Sequence, residues 1–440
     1  MKTVAFITLG CKVNIYESNA LMNQFRENGY QVISEDKPAD VFIINTCSVT
    51  NTADSKSKKM IRHAKKLNPN AIICVMGCFA QTNKQAQEMD EIDVLLGNGN
   101  KHEALERVNA AFINRKKQIS LLKIREVKDY EALEATTFDH TRAFVKIEDG
   151  CSNFCSYCII PYARGPVRCK DKDEVLKELT RIGDMGYKEV VLSGIHTGHY
   201  TCGKNYKLSN LLSDIIHNVK TIERIRLSSI EINEIDDDII NLLKEEKVLA
   251  NHLHLPLQTG NDKILKLMNR KYDTAFFIDK INKIRAVRPD ISITTDVIVG
   301  FPYENDEDFK ETIDFIRKVN LAELHVFPYS QRSGTKAFDM PQIDGNIKKA
   351  RVKELIKVSK ELNHAYYESF IGKMESVLVE TIYNDKYMIG HTSNYLHVLL
   401  PLDSTKIGKL VDAKMLEIKD DHMIAEPVSK VSMKLKKELF

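Results

Sequence analysis

Three cysteines, Cys151, Cys155 and Cys158, are separated by three and then two residues in Gly150-Cys151-Ser152-Asn153-Phe154-Cys155-Ser156-Tyr157-Cys158. Three thiolates so close together can wrap one corner of a cubic iron–sulfur cluster. One iron is then left without a protein ligand and open to a small molecule. Zinc is the alternative, but structural zinc sites are four-coordinate and closed. No further ligand at zinc-finger spacing lies nearby.

A second set of thiols is dispersed: Cys11, Cys47 and Cys78. Each follows a predicted strand (residues 4–9, 41–45 and 72–76) by about two residues. In a parallel sheet those strands end on one edge, where α/β sheets bind ligands. Three thiols at one edge again suit a cluster with a free iron. Cysteine as a small buried hydrophobe is the plain alternative. That suits Cys74, inside a strand, but not three residues at one structural phase. Cys169 and Cys202 have no matching partners and read as structural.

Nine cysteines, an odd number, argue against a disulfide framework and for metal or thiol chemistry. The first ten residues read as a β-strand rather than a signal peptide. No apolar run approaches the ~20 residues of a membrane-spanning helix, so a cytoplasmic location is expected. Of the 440 residues, 43% are hydrophobic and 28% charged, an ordinary balance for a globular chain. A net charge of +3 does not by itself imply nucleic acid, so local clustering must carry that argument.

The elements that must position these thiols give an α/β fold class in three segments. Residues 1–113 alternate strands (4–9, 41–45, 72–76, 94–96) with helices (18–28, 53–67). The second helix carries Ala53, Ser57, Met60, Ala64 and Leu67 on one stripe. An N-terminal parallel sheet follows from that alternation. Residues 114–140 read as a linker or a peripheral pair of strands. Residues 141–370 hold six strand candidates (143–147, 189–193, 224–228, 252–257, 292–299, 323–329) with helices 172–185, 236–246, 307–319 and 346–370. Six units predict a partial (β/α)6 barrel rather than the eightfold one. Residues 371–434 hold five short strands (376–381, 388–392, 395–400, 409–418, 422–427), as in a small antiparallel β-barrel.

Ligands of such barrels sit at the carboxyl ends of the strands. Ser193-Gly194-Ile195-His196-Thr197-Gly198, Ser228-Ser229-Ile230-Glu231, Gln258-Thr259-Gly260 and the Thr295 to Pro302 stretch all lie there. Gly194, Ser229 and Gln258 are therefore candidate cofactor contacts. His196 and His199 could be ligands, solvated loop histidines being the plainer reading.

CxxxCx(aromatic)C after a barrel strand, with Tyr157 as the aromatic, resembles the signature of radical S-adenosylmethionine enzymes. The resemblance implies a 4Fe-4S cluster on Cys151, Cys155 and Cys158, with Tyr157 beside the cofactor. The open iron would bind the amino and carboxylate groups of S-adenosylmethionine, whose one-electron cleavage yields a 5′-deoxyadenosyl radical. Across essentially the whole chain, the domain order is similar to that of the methylthiotransferase family. Thr8-Leu9-Gly10-Cys11-Lys12-Val13-Asn14, Asn45-Thr46-Cys47-Ser48-Val49-Thr50 and Gly77-Cys78 match its first-domain motifs, and the last segment resembles an RNA-binding TRAM domain.

Carried over by position, Cys11, Cys47 and Cys78 would hold an auxiliary 4Fe-4S cluster. One S-adenosylmethionine would then methylate sulfur at that cluster, and a second would supply the radical that activates an adenine C2. An electron donor such as flavodoxin or ferredoxin is implied as well. The run from Cys11 to Ser18, and Leu192 to Gly198, resemble the branch acting on N6-threonylcarbamoyladenosine at tRNA position 37. The alternatives are isopentenyl-adenosine in tRNA, an aspartate of a ribosomal protein, or a non-catalytic metal-bound RNA-binding protein. Cys169 departs from the serine expected in the Arg-Gly-x-Val-Arg-Ser stretch.

Lys56, Lys58, Lys59, Arg62, Lys65 and Lys66 lie opposite the apolar stripe of their helix and could track phosphates; a solvated face is the alternative. Tyr383, Tyr387, His391 and Tyr395 of the terminal barrel offer polar and aromatic surface to RNA, unless they are buried strand residues. The tail residues Lys430, Lys434, Lys436 and Lys437 add non-specific attraction. The expected partner is a tRNA anticodon loop, whose unpaired bases can be splayed out.

Overall fold

The computed structural model describes residues 1–114, 116–136, 138 and 140–428, so the basic tail lies outside the described residues. Six strands form one parallel sheet in the order β2-β1-β3-β4-β5-β6. They are β1 (Thr3–Thr8), β2 (Gln31–Ile33), β3 (Val41–Thr46), β4 (Ile72–Gly77), β5 (Val94–Leu96) and β6 (Gln118–Ser120). β3 and β4 are buried at every position, as strands covered on both faces must be. Val4, Phe6, Val41, Ile43 and Ile72 pack with the helices Lys12–Glu27 and Ala104–Asn114. Ala5, Ile7, Phe42, Ile44 and Ile73 pack with Asn51–Leu67 on the opposite face.

That last helix buries Ser57, Ile61 and Ala64, so its inner stripe is centred on Ile61 rather than Met60. The first helix begins at Lys12, straight after Cys11, six residues before the expected start. The stretch after residue 114 supplies β6 and then runs along the second segment. There the Tyr130 hydroxyl donates to Lys146 O at 2.6 Å, and Leu133 O accepts from the Tyr16 hydroxyl at 2.6 Å.

The second segment contributes β7 (Arg142–Lys146), a short antiparallel pair β8 (Glu148–Asp149) and β9 (Arg168–Cys169), then β10 (Glu189–Ser193), β11 (Arg224–Leu227), β12 (His252–His254), β13 (Ser292–Val299) and β14 (Glu323–Pro328). Two parallel ladders, β11-β10-β7 and β12-β13-β14, meet through a bridge between Ile225 and Leu249. The result is the expected open six-stranded half-barrel. Because paired residues share a face, the inner face carries Arg142, Glu189, Arg224, Arg226, His252, His254, Asp296 and His325. The interior is thus polar, unlike the apolar layers that fill a complete barrel.

β15 (Met374–Ile382), β16 (Tyr387–Thr392), β17 (His397–Pro401), β18 (Leu410–Lys419) and β19 (His422–Pro427) close a barrel in the order β15-β16-β17-β19-β18. Its pairings are antiparallel except for β17 with β19, which is parallel. The small barrel is seated on the half-barrel by arginine. Arg224 Nη2 donates to Ser376 O at 2.8 Å, and Arg226 donates to Ser393 O at 3.1 Å and Thr392 O at 3.2 Å. The Tyr395 ring stacks on His252 at 4.9 Å, and its hydroxyl accepts from Arg142 at 3.1 Å. His391 is buried against Glu380 at 2.7 Å. Tyr395 and His391 therefore serve this junction instead of an RNA surface, whereas Tyr383 stays exposed. Among the described residues, no helix is long and apolar enough to cross a membrane.

Candidate active site

Cys11, Cys47 and Cys78 sit just past the ends of β1, β3 and β4, within electrostatic reach of one another. Two glycines let their loops close up. Gly10 has φ +102°, and a Cβ there would lie 2.9 Å from Cys47 Cβ and 3.2 Å from its Sγ; at Gly77, φ +99°, it would lie 2.6 Å from Thr46 O. Asn14 Nδ2 ties the first two loops together by donating to Leu9 O at 2.6 Å and Thr46 O at 3.1 Å. Asn98 Nδ2 stands 3.4 Å from Cys78 Sγ and donates to Ala163 O at 2.9 Å. Burial pushes the Cys47 thiol up to about 11 and raises Cys11 as well. Gly10→Ala is expected to force an L-residue into a left-handed conformation and to displace Cys47. Were each set to hold a 4Fe-4S cluster, iron per reconstituted chain should then fall from about eight to about four, read by colorimetric iron assay.

Cys151, Cys155 and Cys158 likewise face one another. Their loop turns at Gly150, φ +95°, where a Cβ would lie 2.0 Å from Pro166 O. It is pinned by Ser156 N to Met268 O at 3.0 Å, Ser156 Oγ to Leu267 O at 2.8 Å, and Asn269 Nδ2 to Phe154 O at 3.0 Å. Arg270 donates to Cys155 Sγ at 3.4 Å and the Tyr157 hydroxyl at 3.3 Å, and pairs with Glu231. Burial pushes Cys151 up to about 12 and Cys158 further. Such thiols ionise when a metal displaces the proton. Convergent soft sulfur donors select iron–sulfur or zinc over hard cations, so both sets fit a cluster.

A cavity of about 220 Å³ opens beside Cys158, lined by Tyr157, Gln258, Asp296 and Phe327, with Val49 and Thr50 from the first segment closing it. Val49 follows Cys47 by two residues, so the loop that carries Cys47 contributes to the wall of this space. Gln258, φ +69°, is fixed there by its N–H to Asp296 O at 2.8 Å. Tyr157 and Gln258 thus come together, whereas Gly194 and Ser229 are absent from the lining. Ser229 is exposed, and Gly194 abuts the Glu148 carboxylate, pushed up to about 8 by burial.

His196 is buried rather than solvated. The turn Thr197–His199 folds inward, because Gly198 leaves room for Glu234 where a Cβ would meet its Oε2 at 1.9 Å. Glu234 Oε1 lies 2.6 Å from His196 Nε2 and 2.9 Å from His199 Nε2, and His196 Nδ1 lies 3.8 Å from Cys151 Sγ. Contact with Glu234 holds His199 above the usual histidine range. Cys169 and Cys202 have local partners, the Thr201 N–H at 3.3 Å and the Asp171 carboxylate at 3.5 Å. Cys74 lies fully buried in β4.

The two thiol sets are joined by a buried ionic junction that nothing local in the sequence announces. Arg164, on the short helix Ile160–Arg164 after Cys158, reaches Glu17 Oε1 at 3.1 Å, Asp149 Oδ1 at 2.9 Å and Asn14 Oδ1 at 2.5 Å. Lys146 reaches the same Glu17 oxygen at 3.3 Å, and Lys101 pairs with its other oxygen. Burial pushes the Glu17 carboxyl up, but Arg164, Lys101 and Lys146 outweigh this and hold it well below the usual carboxylate range. Asn14 and Glu17 of the first cysteine motif are thus the joint between the two sites.

Among the helix cations, Lys58 is tied to Gln85 at 2.6 Å, Lys65 to Asp93 at 3.3 Å and Arg62 to Glu91 at 3.5 Å. Lys56, Lys59 and Lys66 remain exposed.

Comparison with known proteins agrees with this architecture. Residues 145–316 match the family described as the Radical SAM superfamily, and residues 3–97 match the one described as Uncharacterized protein family UPF0004. A Bacillus subtilis (strain 168) protein named threonylcarbamoyladenosine tRNA methylthiotransferase MtaB is 42% identical, covering 95% of this chain and 94% of that one. A Carboxydothermus hydrogenoformans protein named tRNA-2-methylthio-N(6)-dimethylallyladenosine synthase is 33% identical, covering 96% and 98%. Among solved structures, the radical S-adenosylmethionine methyltransferase TsrM of Kitasatospora setae aligns with a TM-score of 0.56 at 13% identity, over 77% of this chain and 74% of that one. At that identity the likeness is one of fold.

Proposed function

Because the chain belongs to the methylthiotransferase family of radical S-adenosylmethionine enzymes, we propose that it converts N6-threonylcarbamoyladenosine at tRNA position 37 to its 2-methylthio derivative. The observation that carries this reading is a pair of three-cysteine sets joined through Arg164, Asn14 and Glu17, with Cys158 of one set and Val49 and Thr50, which follow Cys47 of the other, lining one cavity. Cys151, Cys155 and Cys158 would hold the radical-generating 4Fe-4S cluster, and Cys11, Cys47 and Cys78 an auxiliary one. When bound, the clusters and S-adenosylmethionine supply sulfur and a radical able to activate adenine C2, a carbon with no acidic proton or leaving group.

The chain's own residues then position and shield. Arg270 places positive charge on the Cys155 sulfur and orients Tyr157 through its hydroxyl. Tyr157 and Gln258 form the cofactor wall of the cavity, with Gly194 and Ser229 at the neighbouring strand ends. Val49, Thr50 and Phe327 supply the apolar and hydroxyl surface of the same cavity. Lys56, Lys59 and Lys66 offer phosphate contacts for an anticodon stem, and Tyr383 an exposed ring. The working compartment is the cytoplasm, and the electron donor is a low-potential carrier of the flavodoxin or ferredoxin kind.

The deciding experiment uses anaerobically reconstituted protein, S-adenosylmethionine, a reductant and two tRNAs. One carries threonylcarbamoyladenosine and the other isopentenyl-adenosine, with the products read by nucleoside mass spectrometry. The methylthio product is expected on the first. Product only on the second would reassign the substrate. Absence of both product and 5′-deoxyadenosine from the iron-loaded, reduced protein would favour a non-catalytic RNA-binding role.

A further inference from the structure

We propose that Lys12 recognises the free carboxylate of the substrate's threonyl group, and so sets which modified adenosine is accepted. The inference rests on the substrate reading above. Lys12 directly follows Cys11 and opens the first helix. Its electrostatic neighbours are Arg142, Arg226 and Asp296, and it also acts on His252 and His325, all on the inner face of the half-barrel. The two arginines already have acceptors: Arg142 pairs with Glu380 at 2.6 Å and Arg226 with Glu189 at 2.8 Å. Asp296 is also engaged, held between His254 and His325 at 3.3 Å each. Among the described residues, Lys12 has neither a hydrogen-bond nor an ion-pair partner.

A half-buried ammonium facing other cations is unfavourable until an anion joins it. The place where that anion would come from is defined by Asp296, which belongs both to the cavity wall beside Cys158 and to the surroundings of Lys12. A substituent on adenine N6 that leaves the cavity along Asp296 would head into the field of Lys12. The threonylcarbamoyl group brings a carboxylate and a hydroxyl to that point. The isopentenyl group brings only hydrocarbon, which cannot compensate the charge. Discrimination then follows from the unpaired cation, since a site built for a charged partner rejects an analogue lacking it.

The rival role for Lys12 is to offset the negative charge of the Cys11 thiolate and its cluster. A charge-swap experiment on the substrate separates the two. Anticodon stem-loops bearing threonylcarbamoyladenosine, either as the free acid or as its methyl ester, are compared by kcat/KM for methylthio transfer. Wild type is expected to prefer the acid by about tenfold to a hundredfold, the range for a hydrogen bond to a charged group. Lys12→Gln should shrink that preference to less than about threefold by losing rate on the acid, with iron content unchanged, and Lys12→Arg should restore part of it. An unchanged preference in Lys12→Gln overturns the proposal. So does an equal loss on acid and ester accompanied by loss of iron, which assigns Lys12 to the cluster. If wild type turns over neither form but does modify an isopentenyl-adenosine stem-loop, the substrate reading fails and takes the inference with it.

Discussion

Cys155→Ala is expected to abolish 5′-deoxyadenosine formation, whereas Cys47→Ala should leave it intact and abolish only methylthio transfer. Each variant should retain about four irons instead of about eight, so iron content alone will not tell them apart. The split in chemistry will. Cys155 shares its loop with Cys151 and Cys158 and accepts from Arg270, so its removal opens the cluster that would face the cofactor. Cys47 lies at the end of β3, in another sheet, with Cys11 and Cys78 as its thiol neighbours. Methylthio product is expected to fall below detection in both variants, by mass spectrometry of digested tRNA. If Cys47→Ala also stopped cofactor cleavage, the two sets would not be functionally separate and the division of labour would be wrong.

The largest effect on stability is expected at Glu17. Its side chain is fully buried together with those of Lys101, Lys146 and Arg164, and Asp149 is only 2% exposed. Removing one partner of a buried ionic group leaves charge uncompensated, which typically costs about 3–5 kcal/mol. Glu17→Ala takes away a carboxylate shared by three cations, so a loss in that range is expected from chemical denaturation of the cluster-free protein. Glu17→Gln should lose a similar amount, because an amide keeps the shape but not the charge. A change below about 1 kcal/mol, the scale of an exposed pair, would mean that water reaches the junction.

Much of this arrangement is legible in sequence, and the exceptions have physical causes. The long strands and both thiol sets follow from apolar runs and from cysteines placed just beyond them. β2 and β6 are too short to show a period, and each lies at a sheet edge with exposed positions. The alternation in Arg224-Ile225-Arg226-Leu227 announces two faces, yet nothing local says that the charged one points inward. That depends on Glu189, thirty-five residues away, and on carbonyls of the terminal barrel. Arg164 and Glu17 are 147 residues apart, and each alone looks like an ordinary surface charge. His196 looks solvated until Glu234 arrives from the next unit. Tyr395 reads as an RNA-facing ring because aromatic loop residues often are, and only the fold shows His252 beneath it.

The seat of the small barrel has a consequence for target choice. Arg224 and Arg226 bond to its backbone carbonyls and not to replaceable side chains, and the helix Gly345–Glu368 runs into β15 with only a few residues between. No tether lets it swing. For an RNA held on its outer face, the reach to the cavity would be fixed, and the protein would work as a gauge. The nucleotide that enters would then be chosen by its distance along the phosphate backbone from the grip. Lengthening the loop by one nucleotide should therefore shift the base presented, even with the neighbouring sequence unchanged.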